Sequence, residues 1–197
     1  MFKSVGAKAL AVPTPVWLVG TYDADGRPNI ATIAWGGVCC SEPPCVAISL
    51  RQSRYTYEAV VARMAFTINV PAQSFVREAD FAGLVSGRDC DKFAAAGLTP
   101  VRSELVDAPY VAEFPLVLEC RLRHTIELGI HTQFIGEIVD VKADGSVLGS
   151  NGLPDGDKVR PIVYDTGTRN YFSLGNILGA GFAIGNQLLR KQQDGEG

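Results

Sequence analysis

Apolar residues recur at every second position over much of this chain, and only short stretches repeat at helical spacing. The clearest run is LVLECRLRHTIEL (116–128). There Leu116, Leu118, Cys120, Leu122, Ile126 and Leu128 alternate with Val117, Glu119, Arg121, Arg123, Thr125 and Glu127. A period of two predicts a strand with one buried face and one wetter face, and it places His124 on the inward side as a hydrogen-bonded core residue. Gly129 separates this run from HTQFIGEIVDV (131–141), so the pair reads as a long hairpin. Upstream, PVWLVGTY (15–22) enters the turn cluster Asp23-Ala24-Asp25-Gly26, and extended structure resumes at NIATIAW (29–35). CVAISL (45–50) and AFTINV (65–70) are short, β-branched-rich runs of strand length.

Helical patterning is confined to connectors. RYTYEAVVARM (54–64) and SFVREADFAGLVS (74–86) predict two short helices, the second with Ser74 as its N-cap. Five or more strands with short helices between them do not make alternating β-α-β units. They predict a mainly β protein whose antiparallel sheet closes, wholly or partly, into a barrel and so removes its exposed edges.

Composition narrows the setting. With 47% hydrophobic residues among 197, the chain can bury a substantial core unaided, and the expectation is one domain over 1–190 with a frayed tail over 191–197. A net charge of −3 argues against a nucleic-acid partner, which would favour a basic surface. No apolar run approaches the roughly 18 residues that span a bilayer, so no membrane partner is expected. The first residues, MFKSVGAKALAVPTP, lack the sustained apolar stretch of a signal peptide, and a cytoplasmic location is expected. Five cysteines (Cys39, Cys40, Cys45, Cys90, Cys120) form neither a disulfide framework nor C-x₂-C pairs. They are expected to be buried and reduced, and no metal site is predicted.

The segment Ser49-Leu50-Arg51-Gln52-Ser53-Arg54-Tyr55-Thr56 concentrates hydroxyls and two guanidiniums where a strand gives way to a helix. Helix-start amides favour an anion, and an arginine fork suits phosphate oxygens. Capping and solubility would draw the same residue types to such a junction. The glycine run Gly179–Gly185 is not a dinucleotide fingerprint, because only twelve residues follow it and the acidic partner must lie about 20 positions on. His131, at a strand start beside glycine, is the more open of the two histidines.

Taken in order, these fragments resemble the flavin reductase-like family, and its flavoredoxin branch in particular. The matching run extends from about Pro15 to Asp140. It includes Leu18-Val19-Gly20-Thr21, Asp25-Gly26-Arg27-Pro28-Asn29, Ala31-Thr32-Ile33-Ala34-Trp35, Ile48-Ser49-Leu50-Arg51 with Arg54-Tyr55-Thr56, and Phe66-Thr67-Ile68-Asn69-Val70. It continues through Ser86-Gly87, Asp91-Lys92-Phe93, and Gly129-Ile130-His131 with Phe134-Ile135-Gly136-Glu137. The resemblance implies an antiparallel split β-barrel and a homodimer that holds FMN near its interface. It assigns Asn29, Thr32, Ile33, Ala34 and Trp35 to the flavin ring. Ser49, Arg51, Tyr55 and Thr56 go to the phosphate end, Ser53 within the same segment is a further cofactor-binding candidate, and Lys92 goes to a position that reaches the flavin. His131 and Tyr171 are the weaker candidates for the substrate side. Cys39-Cys40 departs from the small polar residues expected after the tryptophan strand.

The function this implies is an FMN-dependent oxidoreductase. It would take electrons from NADH, NADPH or a protein donor, with a redox protein or a flavin as the other partner. The alternatives are a non-enzymatic flavin- or haem-binding split barrel, since fold alone does not dictate activity, and a flavin enzyme specific for one organic substrate.

Overall fold

The computed structural model describes residues 1–186 and Leu188. The tail expected over 191–197 lies outside the described residues. Twelve strands occur among the described residues. The first six are β1 (Thr14–Pro15), β2 (Trp17–Tyr22), β3 (Pro28–Ile33), β4 (Gly36–Ser41), β5 (Pro44–Leu50) and β6 (Ala65–Val70). Then come β7 (Pro100–Arg102), β8 (Pro109–Val111), β9 (Leu116–Leu128), β10 (His131–Ala143), β11 (Ile162–Asp165) and β12 (Asn170–Ser173). The helices are α1 (Tyr55–Arg63), α2 (Val76–Leu84), α3 (Lys92–Ala96) and α4 (Gly156–Val159).

Seven strands form one antiparallel sheet in the order β3-β2-β6-β9-β10-β5-β4. Its two outermost members, β3 and β4, are consecutive in the chain and separated only by Ala34 and Trp35. A chain that leaves one edge and enters the other within two residues requires the edges to adjoin, so the sheet is curled into a barrel. The Ser49 amide donates to the Trp35 carbonyl at 2.8 Å and stitches β5 to this seam. This is the expected split-barrel fold.

Strand alternation decides what fills the barrel and what packs outside it. Val19, Val46, Ile48, Phe66, Ile68 and Phe134 are fully buried in the interior cluster. Each such side chain contributes roughly 1.5–3 kcal/mol by leaving water. The neighbouring positions Leu18 and Ile30 face outward and pack with Ala79 and Ala82 of α2 and Phe93 of α3 in a second cluster. That packing fixes the two helices against β2 and β3.

Several expectations need correction. The wetter face of β9 is wet only at its far end. Glu119 is wholly buried, because Thr67, opposite it on β6, and Asn69 are covered by β8. There the Thr67 hydroxyl donates to the Pro109 carbonyl at 2.5 Å, and the Val111 amide donates to Asn69 Oδ1 at 2.8 Å. His124 is exposed and is not a core residue. Beyond Arg121 the β6 pairing has ended, and from Arg123 to Leu128 both faces of β9 meet solvent. Ser74 caps nothing. It sits inside a 3-10 turn (Gln73–Phe75) pinned by Gln73 N donating to the Arg160 carbonyl, and α2 starts after Phe75 without a side-chain cap. Cys39 and Cys40 are exposed rather than buried, on an edge strand that carries no alternation to announce it.

Candidate functional site

The seam opens into a cleft of about 520 Å³. Its first wall is the end of β3 with Ala34 and Trp35. The second is the run from Ser49 to Thr56, and the third joins Ala82–Gly83 of α2 to Val85–Asp89 and Lys92. His131, at the start of β10, closes one end, with its ring edge-on to Trp35 at 6.3 Å between centroids. Thr32, Ile33, Ala34, Trp35, Ser49, Arg51, Ser53, Tyr55, Thr56, Lys92 and His131 therefore meet in one place. Asn29 lies just behind, in an adjoining hollow of about 290 Å³ that shares Tyr55, Gly87, Arg88 and Asp89 with the cleft. Tyr171 stands apart in a third hollow of about 210 Å³, reached past Thr32, Ile33, Ala34 and Gly83.

The cleft is cationic in an acidic protein. Arg51, Arg54, Arg88 and Lys92 face a single carboxylate, Asp89. A separate cleft of about 450 Å³, lined by Phe75, Phe114, Lys142 and Lys158, offsets its two lysines with Glu113 and Asp144 and gathers none of the expected residues. The first cleft also receives the start of α1. Arg54 occupies the N-cap in extended conformation with no side-chain cap, so the first-turn amides keep their partial positive charge. Such an uncapped helix start beside arginines suits an anionic oxygen cluster.

The turn at 23–26 holds this helix start. Asp23 is buried and accepts the Tyr55 hydroxyl at 2.7 Å, Arg27 Nε at 2.9 Å, and the Asp25 and Arg27 amides at 2.9 and 2.8 Å. Burial pushes the Asp23 carboxyl up, but the Tyr55 and Arg27 hydrogen bonds outweigh it and leave it below the usual range. The same bond to Asp23, with burial second, pushes the Tyr55 phenol up. Arg88 lies over the Tyr55 ring, 5.4 Å from its centroid, in a cation–π contact, and its Nη1 donates to the Ser53 carbonyl at 3.3 Å.

Gly87 makes the close approach of the 85–89 loop possible. A Cβ there would stand 2.3 Å from Asn29 Oδ1 and 2.6 Å from Tyr55 Cδ1. Asn29 donates to Thr56 Oγ1 at 3.0 Å, while its own Oδ1 is buried with no donor among the described residues. An orphaned acceptor of this kind costs about 1–3 kcal/mol, which a ligand's donor would recover. Lys92 is 4% exposed, and its Nζ donates to the Ala82 carbonyl at 2.7 Å. Burial, with Arg54 adding to it, lowers its pKa to about 8.

Arg54 and Arg88 belong to the cleft although only their neighbours were expected there. Arg54 stood inside the hydroxyl and guanidinium segment, whereas Arg88 reads as a solvated loop residue until Gly87 turns the chain inward. The cysteines Cys39 and Cys40 do not line the cleft.

Residues 9–173 match the Flavin reductase like domain, and the chain belongs to that family. Across nearly its whole length it is similar to flavoredoxin of Desulfovibrio vulgaris (Miyazaki F). The two are 55% identical with a TM-score of 0.90, over 94% of this chain and 100% of that one. It is 31% identical over 119 residues to the reductase component of 4-nitrophenol 4-monooxygenase/4-nitrocatechol 2-monooxygenase of Rhodococcus opacus, covering 60% of each. It is 35% identical over 106 residues to high molecular weight rubredoxin of Moorella thermoacetica, covering 51% of this chain and 43% of that protein.

Proposed function

We propose that this chain is an FMN-binding electron-transfer protein of the flavoredoxin kind. The observation that carries the reading is the uncapped start of α1, set among Arg51, Arg54 and Arg88 at the seam of a family barrel. Its chemistry fits a phosphate ester attached to a flat polar ring. Ser49, Arg51, Ser53, Tyr55 and Thr56, with Arg54 and Arg88, would hold the phosphate. Thr32, Ile33, Ala34 and Trp35 would lie along the ring, with Asn29 behind them beside Thr56. When bound, the flavin supplies hydride and single-electron chemistry. The protein's part is to hold the ring against the seam, keep water from one face and place the Lys92 ammonium nearby. No acid–base pair is required for that division of labour.

The electron source is a redox protein or NAD(P)H. Similarity to flavoredoxin over nearly the whole length supports carriage between proteins, and the partial similarity to a rubredoxin agrees with it. The Rhodococcus reductase component supports the second reading, an NADH- or NADPH-driven flavin reductase with His131 on the donor side. A cytoplasmic homodimer is part of the same proposal.

An anaerobic absorption titration tests it. Stoichiometric binding of FMN with a perturbed flavin spectrum is expected. A Soret band, or no flavin uptake, overturns the proposal. Retention of oxidised flavin after NADH and NADPH are added identifies a protein donor, and rapid bleaching identifies the reductase form.

A further inference from the structure

The cysteines of the β4–β5 hairpin have no part in the cleft, yet their register is specific. Glu42 and Pro43 close the hairpin, Ser41 pairs with Pro44, and the next pair inward is Cys40 opposite Cys45. Directly opposed residues of an antiparallel ladder have Cα atoms about 4.5–5.5 Å apart. A disulfide bridges Cα separations of roughly 4.4–6.8 Å. Opposed side chains also leave the same face of the sheet. Cys39 is the extra residue of a bulge between the Val38–Val46 and Cys40–Cys45 pairs, and so faces no partner across the ladder.

Exposure divides the pair into an attacking and a resolving thiol. Free cysteines are among the most buried residue types, but Cys39 and Cys40 are exposed while Cys45 beside them is buried. Burial, with Cys40 and Cys39 as further causes, pushes the Cys45 thiol up, so the exposed Cys40 is the natural attacker. Ser49 lies four positions along β5 from Cys45, roughly 13 Å of strand, which sets this pair apart from the cleft.

We infer that Cys40 and Cys45 form a redox-active dithiol that closes into a cross-strand disulfide by exchange with a small disulfide of the glutathione class. The Cys40 sulfur bonds to one sulfur of the small disulfide as its S–S bond breaks and the first thiolate leaves. The Cys45 sulfur then bonds to Cys40 and displaces the second thiolate. The two protein thiols are oxidised by two electrons. The small disulfide is reduced to two thiols, which carry away the two protons. The product staples edge strand β4 to β5, the hairpin that leads from Trp35 to Arg51.

Intact-mass measurement of the purified protein after exposure to glutathione disulfide tests this under non-reducing conditions. The expected product has lost two hydrogens, retains no glutathione, and yields fragments that place the bond between Cys40 and Cys45. Dithiothreitol should restore the starting mass. Cys39→Ser should still form the bond, whereas Cys40→Ser, at an exposed position, and Cys45→Ser should carry at most a glutathione adduct. Adducts without an internal bond in the unaltered chain overturn the inference. A Cys39–Cys45 bond in that chain, or cross-linking between chains in place of the internal bond, does so equally.

Discussion

Lys92 of α3 donates its Nζ proton to the carbonyl of Ala82 at 2.7 Å, so an ammonium with 4% of its surface exposed is held under the end of α2 at the wall of the cleft. Its pKa of about 8, set by burial first and Arg54 second, gives the cleft a lysine that titrates close to neutrality. Below that value the group is charged and attracts a phosphate ester, and above it the attraction is lost. FMN affinity is expected to fall about tenfold from about pH 7 to about pH 9, read by quenching of flavin fluorescence. Lys92→Met should flatten the profile, and a flat profile in the unaltered chain would remove Lys92 from the site. In the ligand-free protein the sign is opposite. The folded group, at about 8, binds fewer protons than the unfolded one at 10.5, so its contribution to stability rises with pH across that window.

Arg51→Ala removes a guanidinium from the phosphate end. FMN binding should weaken by about 1.5–3 kcal/mol, the scale of a hydrogen bond to a charged group. Isothermal titration at fixed salt measures it, and unchanged affinity would place the phosphate elsewhere.

Gly87→Ala tests the close approach of the 85–89 loop. The added methyl would meet Asn29 and Tyr55, and neither yields readily, because Asn29 is tied to Thr56 and Tyr55 to Asp23. A stability loss of about 1–3 kcal/mol is expected, together with weaker FMN binding. Thermal denaturation that matched the unaltered protein would show that the loop can stand off without cost.

Tyr171 donates its hydroxyl to Asp80 at 2.8 Å, and burial together with that bond pushes its phenol well above the ordinary range. Tyr171→Phe should therefore cost about 1 kcal/mol of stability while leaving FMN affinity within about twofold. A large loss of FMN binding would make Tyr171 part of the flavin site rather than of the neighbouring hollow.

What was legible in the sequence follows from apolar and β-branched runs of strand length. AFTINV (65–70) coincides with β6, which is buried at every position, and the 116–128 run coincides with β9, whose first half packs into the core. β4 was not legible, because GGVCCS sits at an edge with four exposed residues and shows no alternation. The short strands β7, β8, β11 and β12 lie outside the barrel and carry too few residues to repeat a pattern. Most of the expected site residues converge because they occupy two stretches, 32–35 and 49–56, that the seam brings face to face. Arg88 and the separation of Tyr171 depend on α2 folding back over β3, a contact between segments about fifty residues apart that local sequence does not encode.

The two residues that join β3 to β4 also have a bearing on how the molecule comes apart. Ala34 and Trp35 are at once the closing joint of the barrel and a wall of its cleft. A molecule seated there touches both sides of the joint, so its binding favours the closed barrel over the opened one. Amide exchange along β3 and β4 should slow as ligand occupancy rises.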